Sequence, residues 1–406
     1  MTDSMFDHLV RNTHLGDIGF AGGRIAAIGP ALPHDGPVTD AGGRFVCAGL
    51  VESHIHLDKS GIMSRCTCRQ GTLKEAVEVT KAAKRDFTEQ DVYDRARSVV
   101  ERAILHGTLR MRTHVEVDPR IGLTSLRALR RLKHDYAWAI DLQLCVFPQE
   151  GLLDDPGCDE VLVQGLGEGA DLIGGAPYID TDSHGQIARI FELARRFDFD
   201  VDFHLDFDLD PASPDAAEVC RQTDAHGWGG RVTIGHSTKL SAMKPAQFET
   251  MATRLRDAGV AVTTLPATDL FLMGQDATEN VPRGVAPAHK LLGRGVNCSI
   301  STNNVLNPFT PYGDCSLLRI ANLFANVAQI ADDPGLVECF RMITDRPAAL
   351  MRQEYGIRVG APADLVVFDA TSPNQAVAEL APALVAFKNG RHLFTRTLPT
   401  LAAPPR

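Results

Sequence analysis

The feature that most constrains the fold is an alternation between strand-like and helix-like segments over residues 49–350. The predicted strands are short apolar or β-branched runs: Leu109–His114, Ile140–Phe147, Leu172–Ala176, Val201–His204, Arg231–His236, Val260–Leu265 and Val296–Ser301. Helical patterns separate them, as at residues 245–259, where apolar side chains repeat at the helical period. With one more strand before His54 there are eight such units, which predicts an α/β fold of the (β/α)8 barrel type.

The two ends of the chain differ from this middle part. Residues 5–48 and 356–396 contain brief β-prone runs separated by Gly and Asp, which is typical of antiparallel strands. Because the two ends are alike, we predict one small β-sandwich domain formed by residues 1–48 and 355–406. The barrel, as catalytic domain, would then occupy residues 49–354.

Composition limits the partners and the compartment. The chain has 406 residues, a formal net charge of -10 and no basic run, which argues against nucleic acid or an anionic membrane as partner. A small-molecule substrate is the expectation that remains. Nine cysteines without a regular spacing favour reduced thiols in a cytoplasm, and neither a signal peptide nor an apolar stretch of membrane-spanning length is apparent. We therefore expect a cytoplasmic protein.

Histidines recur where the predicted strands end. His54 and His56 would point to the same side of a strand, because successive side chains alternate, and could hold one metal ion. Taken alone, two hydrogen-bonded histidines at a strand end are the simpler interpretation. However, His114, His204 and His236 each close a later apolar run, and barrel enzymes carry their sites at the carboxyl ends of strands. Two long loops, residues 58–72 and 266–288, would cover the same mouth.

Several longer motifs follow the strands in a fixed order. They are His54-Ile55-His56-Leu57-Asp58, Arg112-Thr113-His114-Val115-Glu116-Val117-Asp118, Phe147-Pro148-Gln149-Glu150-Gly151, His204-Leu205-Asp206 and His236-Ser237, and the chain closes with residues 355–367. In this order the chain resembles the amidohydrolase superfamily. Within it, the resemblance is to the branch of bacterial cytosine deaminase and N-isopropylammelide aminohydrolase.

The resemblance implies a metal centre. His54, His56 and His204 would bind one divalent ion, with zinc expected first and iron or cobalt as alternatives, since neutral imidazole suits all three. Such an ion lowers the pKa of a bound water from 15.7 to about 7. The resemblance also implies that His236 lies beside this water and that Gln149 hydrogen-bonds the ring amide of a nitrogen heterocycle. The simpler interpretations are a buried helper histidine and an amide that stabilises a loop.

Two further residues have open interpretations. Lys59 directly follows the histidine pair, as in the isopropylammelide enzyme, and would polarise a substrate oxygen unless it is a solvated lysine. His114 could support a metal ligand through its other nitrogen, or it could be a packed structural histidine. We place Gln149, Lys59 and His114 together in the predicted substrate-binding set.

The chain departs from the family pattern at three places. After the eighth strand the family has an aspartate that binds metal and accepts a proton, but this chain has Asn303, which cannot accept one. Phe207 stands where cytosine deaminase has a proton-shuttling glutamate. The predicted catalytic set is therefore His236, Asp206 and Asn303, with His236 or Asp206 as the base. The fourth strand ends in residues 174–178 without the lysine of binuclear members, which predicts a single ion.

These observations predict a metal-dependent hydrolase of the deaminase or aminohydrolase type. It would cleave a carbon–nitrogen bond of a small nitrogen heterocycle or cyclic amide, and like its relatives it would be a homo-oligomer. Two alternatives remain open. The first is a ring-opening cyclic amidase, which releases no ammonia. The second is a non-catalytic protein that binds a small molecule and kept the barrel after losing its metal-binding aspartate.

Overall fold

The computed structural model describes residues 6–402. Its strands are β1 (His8–Thr13), β2 (Gly16–Ala21), β3 (Arg24–Gly29), β4 (Val38–Asp40), β5 (Val46–Cys47), β6 (Leu50–Ile55), β7 (Thr108–Glu116), β8 (Asp141–Phe147), β9 (Leu172–Gly175), β10 (Asp200–Leu205), β11 (Val232–His236), β12 (Val260–Thr264), β13 (Cys298–Ile300), β14 (Leu365–Phe368), β15 (Ala383–Lys388) and β16 (Arg391–Thr395).

The α-helices lie mainly between the central strands. They are α1 (Leu73–Ala83), α2 (Glu89–Leu105), α3 (Thr124–Tyr136), α4 (Cys158–Gly167), α5 (Ser183–Phe197), α6 (Ala216–His226), α7 (Lys239–Ala242), α8 (Pro245–Ala258), α9 (Pro266–Leu272), α10 (Ala288–Leu292), α11 (Leu317–Ala328), α12 (Asp333–Arg341), α13 (Asp345–Leu350) and α14 (Pro373–Glu379). None of the helices in residues 6–402 is long and apolar enough to cross a lipid bilayer.

Strands β6 to β13 form one parallel sheet in chain order. A parallel bridge between Ile55 and Asn303 joins the first strand to the segment after the last. Two backbone hydrogen bonds reinforce it, from the His56 amide to the Asn303 carbonyl at 2.8 Å and from the Asn303 amide to the His54 carbonyl at 2.9 Å. The eight strands thus form a nearly closed barrel, and the predicted fold class is confirmed.

The apolar run before the histidine pair is divided between two sheets. Gly49 has a φ of +85°, and a Cβ built on it would lie 2.6 Å from the Leu109 side chain. A glycine is required where the backbone turns this way so close to a neighbour. Strand β5 before the turn joins a terminal sheet, whereas β6 begins the barrel at Leu50. His54 therefore lies within β6 and His56 just beyond its end.

The chain ends form two four-stranded sheets, with strand orders β3-β2-β1-β4 and β16-β15-β14-β5. Apolar residues from both ends pack between them, and the rings of Phe20 and Phe387 lie 5.4 Å apart in an edge-to-face arrangement. Most strand pairs are antiparallel, although β1 and β4 are parallel. The predicted β-sandwich from both chain ends is thus present, while its exact boundaries as a domain stay a prediction.

An apolar cluster covers one end of the barrel. It joins α1, α9 and the ends of neighbouring segments through Leu73, Ala76, Val77, Tyr178, Phe207, Leu209, Phe271, Leu272, Met273 and Phe309. We call these residues the lid cluster. The Gln275 side chain donates a hydrogen bond to the Gly71 carbonyl at 2.6 Å, so the two long loops also meet directly.

Candidate active site

Buried histidines meet at the carboxyl ends of β6 and β10. The Nε2 atom of His204 lies 3.1 Å from Nε2 of His54 and 2.9 Å from Nε2 of His56. Two imidazoles that share a tetrahedral zinc ion, with bonds of 2.0–2.1 Å, have nitrogens about 3.3 Å apart. All three side chains are almost fully buried. The alternation of side chains along the strands brings these rings to the inside of the barrel.

These histidines are in the neutral form that metal binding requires. Burial, assisted by the neighbouring His114, lowers the pKa of His54 to about 3. Burial also lowers the pKa values of His56 and His204 well below their usual range. The rings are therefore neutral, as metal ligands must be. The Nδ1 atoms of His56 and His204 have no hydrogen-bond partner among the described residues, and Nδ1 of His54 faces Asp202 Oδ1 at 3.8 Å, so each ring can present Nε2. The Nε2 distances from His204 to His54 and to His56 are short enough for each pair to share one divalent ion.

His114 lies behind this group. Its ring stacks on His54 at a centroid distance of 3.8 Å. One ring nitrogen from each of His54, His114 and His204 lies within 4.8 Å of the other two. Its Nε2 faces Asp202 Oδ1 at 3.5 Å, and the other oxygen of Asp202 accepts a hydrogen bond from Arg112 at 2.8 Å. His114 does not line the cavity described next, so its position favours the support of His54 over the substrate contact in our predicted set.

A small cavity adjoins the histidines. The space within it that the centre of a water molecule can reach is about 10 Å³, and its lining residues are His56, Lys59, Gln149, Tyr178, His204, Phe207, His236, Thr268, Asn303, Asn304 and Phe309. The Lys59 ammonium donates to Gln149 Oε1 at 3.1 Å and lies 4.4 Å from the centre of the Phe309 ring. Gln149 Nε2 is buried and makes no close hydrogen bond among residues 6–402, although the Tyr178 hydroxyl lies near the Gln149 side chain. Lys59 and Gln149, predicted separately, therefore meet at one wall.

An ion-pair network lies behind Lys59. Lys59 donates to Glu116 Oε1 at 2.6 Å, and Lys84 donates to the other oxygen of Glu116 at 3.0 Å. Lys84 also donates to Asp118 at 2.6 Å and contacts Glu150. Because Lys59 and Lys84 already contact these carboxylates, the group needs no bound metal ion to balance its charge. Sequence reasoning missed this network, since Lys84 comes from the segment after α1 and nothing in its surroundings marks it.

His236 has a carboxylate partner that sequence reasoning missed. Its Nδ1 lies 2.7 Å from Oδ1 of Asp269, in α9, and its ring packs on Phe207 at a centroid distance of 3.8 Å. On the cavity side, Nε2 of His236 lies 3.5 Å from the amide nitrogen of Asn303. Oδ1 of Asn303 is buried without a partner among the described residues. The structure thus brings His236 and Asn303 together, as predicted.

Asp206 lies elsewhere. Its carboxylate accepts hydrogen bonds from the backbone amides of Asp215 at 2.8 Å and Ala216 at 3.2 Å, at the start of α6. Its φ of +51° turns the chain after β10, and it does not line the cavity. The carboxylate therefore caps a helix, so the structure does not support the predicted catalytic role.

The end of β9 has no room for a metal-binding lysine. A Cβ built on Gly174 would lie 2.6 Å from the Asp202 carbonyl oxygen and 3.0 Å from the Cys145 sulfur. A larger side chain would require the neighbouring backbone to move. This crowding agrees with the single ion predicted from the sequence.

The chain is similar over nearly its whole length to several known proteins. N-isopropylammelide isopropyl amidohydrolase from Pseudomonas sp. (strain ADP) is 28% identical over 95% of this chain and 96% of its own length. A 5-methylcytosine deaminase from Klebsiella pneumoniae, solved with 5-fluorocytosine, superimposes with a TM-score of 0.92 at 26% identity and 98% coverage of both chains. N-isopropylammelide isopropylaminohydrolase from Burkholderia multivorans gives a TM-score of 0.84 at 28% identity, covering 96% of this chain and 98% of the other.

A family model agrees with these similarities. The model described as "Amidohydrolase family" matches residues 93–388, which include His204, His236, Asp269 and Asn303. The histidine pair on β6 precedes the matched range, but the same buried group contains it. The chain therefore belongs to the amidohydrolase family of hydrolases, as its sequence motifs predicted.

Proposed function

We propose that the protein hydrolyses an exocyclic carbon–nitrogen bond of a small, oxo-substituted nitrogen heterocycle, using one divalent ion held by His54, His56 and His204. The observation that carries the proposal is the convergence of three neutral imidazoles beside a cavity that contains Lys59 and Gln149. Zinc is the ion we expect first, because three protein ligands with an open fourth position are typical of catalytic zinc. When bound, such an ion supplies a water acidic enough to be a nucleophile near neutral pH.

The cavity wall supports an oxygen-bearing ring as substrate. The Oε1 atom of Gln149 is engaged by Lys59, which leaves the Gln149 amide nitrogen and the Lys59 ammonium as donors. A ring carbonyl oxygen can accept from either group. Phe207 and Phe309 add flat apolar surfaces suited to a planar ring. N-isopropylammelide and 5-methylcytosine, named for the relatives, are both oxo-substituted heterocycles with an exocyclic nitrogen.

His236 is the proton carrier that we propose. It lines the cavity beside Asn303, and its Nε2 faces that side. An amide cannot take up a proton as a carboxylate does, so Asn303 is left to orient water or substrate. Phe207, which stands where cytosine deaminase has a glutamate, packs on the His236 ring. Because both departures alter proton transfer to the ring, we do not assign cytosine itself as the substrate.

The test is a substrate panel of pyrimidines, aminotriazines, cyclic ureas and lactams, assayed with zinc-loaded, iron-loaded and metal-stripped protein. We expect release of ammonia or an amine that stops on metal removal and returns on reloading. A His204→Asn variant controls for contaminating activity. Release of a new carboxylate without ammonia would instead indicate ring opening. Binding without turnover across the panel would favour the non-catalytic alternative and contradict the proposal.

One prediction concerns Asp206, which the sequence placed among the catalytic residues. Asp206→Asn keeps an acceptor oxygen for the start of α6, and asparagine tolerates a positive φ. We expect kcat to stay within about threefold of the wild-type value. Urea unfolding should show a loss of roughly 0.5–1 kcal/mol, from the weaker cap. A loss of kcat of about 100-fold or more in a folded variant would return Asp206 to the catalytic set.

We also propose a cytoplasmic, homo-oligomeric protein. All nine cysteines are free thiols, and seven of them are buried, which supports a reducing compartment. Sedimentation of the purified protein at micromolar concentration tests the assembly. A monomer at all concentrations would contradict it.

A further inference from the structure

His236 is restrained from several sides. Nδ1 is bonded to Asp269 Oδ1 at 2.7 Å, Phe207 packs on the ring, and the Asn303 amide lies on the cavity side. Asp269 is completely buried, and its Oδ2 has no hydrogen-bond partner among residues 6–402. Burial raises the pKa of Asp269, while the adjacent imidazole opposes the rise. His236 is thus the group that compensates for this buried side chain.

The hydrogen bond fixes which ring nitrogen carries the proton. An ionised carboxylate only accepts, so the bond to Asp269 requires a proton on Nδ1 of His236. In a neutral ring the lone pair is then on Nε2, and Nε2 is the atom that faces the cavity. A carboxylate behind a histidine also stabilises the ring once Nε2 has taken up a second proton. The geometry thus leaves Nε2 of His236 as the atom placed to accept a proton from the cavity.

Other nearby carboxylates are engaged elsewhere. Asp206 accepts from the start of α6, and Glu52 accepts from the backbone amides of Thr302 and His54. Asp202 pairs with Arg112 behind the metal-binding histidines. Asp269 is the carboxylate that the structure places on the His236 ring.

We propose that Asp269 is a positioning residue that lets His236 perform the proton transfer for which Asn303 is unsuited. The proton transfer described here rests on the proposed function, the hydrolysis of a carbon–nitrogen bond. A proton passes from the attacking water to Nε2 of His236 as the water oxygen bonds to the ring carbon. The same proton passes from Nε2 to the departing nitrogen as the carbon–nitrogen bond breaks. The imidazole is regenerated neutral, and Asp269 stays ionised throughout.

The test is Asp269→Asn, which keeps the shape of the side chain but can donate to Nδ1 and so favours a proton on Nε2. Nitrogen NMR of metal-free protein reads the protonated ring atom directly, with signals assigned by their loss in His236→Asn. We expect Nδ1–H in the wild-type protein and Nε2–H, or a mixture, in Asp269→Asn. In the loaded enzyme kcat should fall about 10²–10⁴-fold, with KM within about threefold. The matched control is Asp276→Asn, an exposed change shortly after the end of α9 that should alter neither readout.

The NMR readout separates this proposal from the proposed function. If no substrate in the panel is turned over, the proposed function fails, but the protonated ring atom still decides the role of Asp269. Nε2–H in the wild-type protein would overturn the proposal without any variant. Unchanged Nδ1–H in Asp269→Asn, together with kcat within about threefold of wild type, would also overturn it.

Discussion

His204→Asn is expected to abolish stoichiometric metal binding and, with it, turnover. His204 is the central residue of the group, because its Nε2 lies within 3.1 Å of Nε2 of both His54 and His56. Loss of a residue that only supports a ligand typically weakens metal binding 10–100-fold, so loss of the central ligand should cost more than about 100-fold. Elemental analysis after dialysis against a known free zinc concentration measures the occupancy.

The control for this prediction is His114→Asn, which changes a buried histidine of the same cluster. Because His114 lies behind His54 and faces Asp202, we expect metal to be retained with affinity weakened at most about 100-fold. His56→Asn should instead resemble His204→Asn. If His114→Asn lost the metal and His56→Asn kept it, the ligands would be His54, His114 and His204, whose nitrogens can also approach one another.

Lys84→Met is expected to destabilise the fold by about 3–5 kcal/mol, the range for removing one partner of a buried ion pair. The Lys84 side chain is only 3% exposed and contacts Glu116, Asp118 and Glu150. Without the ammonium, each carboxylate would lose a buried cationic partner, leaving Lys59 beside Glu116 and Arg120 beside Asp118. Urea unfolding followed by circular dichroism measures the change in the free energy of unfolding.

Lys81→Met is the matched control. Lys81 lies one helical turn earlier and contacts Glu150 at 2.8 Å, but its side chain is 42% exposed. An exposed ion pair contributes at most about 1 kcal/mol, so a small effect is expected. Equal effects of the two substitutions would contradict the importance that we give to burial.

The same network determines a dependence of stability on pH. Burial alone would raise the pKa of Glu116. The ammonium groups of Lys59 and Lys84 outweigh this effect and lower that pKa from 4.5 to about 2. A lowered pKa in the folded state means that this stabilisation is complete above the unfolded-state value and is lost as pH falls from about 4.5 to about 2. Lys84→Met removes one cause of the lowered pKa. The free energy of unfolding of the variant should therefore differ less between pH 6 and pH 3 than that of the wild-type protein.

The sequence predicted the barrel and the histidine group for a physical reason. Strand and helix periods are local, and residues that end parallel strands must meet at one edge of the sheet. His54, His56, His204 and His236 could therefore be grouped without coordinates. The pattern of the terminal segments likewise predicted that both chain ends form antiparallel strands.

What the sequence did not predict depends on distant contacts or on backbone turns. Asp269 approaches His236 because α9 begins directly after β12. The two residues are 33 positions apart, and no sequence motif links them. Asp206 lies two residues after the candidate metal ligand His204, but its positive φ turns the carboxylate to the start of α6. Asp202 has a weak signal that could have been used, since it lies two residues before His204 and faces the same side of β10.

The bridge between Ile55 and Asn303 links the candidate metal site to the closure of the barrel. These residues lie at opposite ends of the barrel segment, and their pairing closes the circle of strands. The candidate ligands His54 and His56 flank Ile55, so both lie at the point where the first strand pairs with the segment after the last strand. An ion that binds only this sealed arrangement adds its binding free energy to the native state by mass action. Heat resistance should consequently increase with the free concentration of that ion.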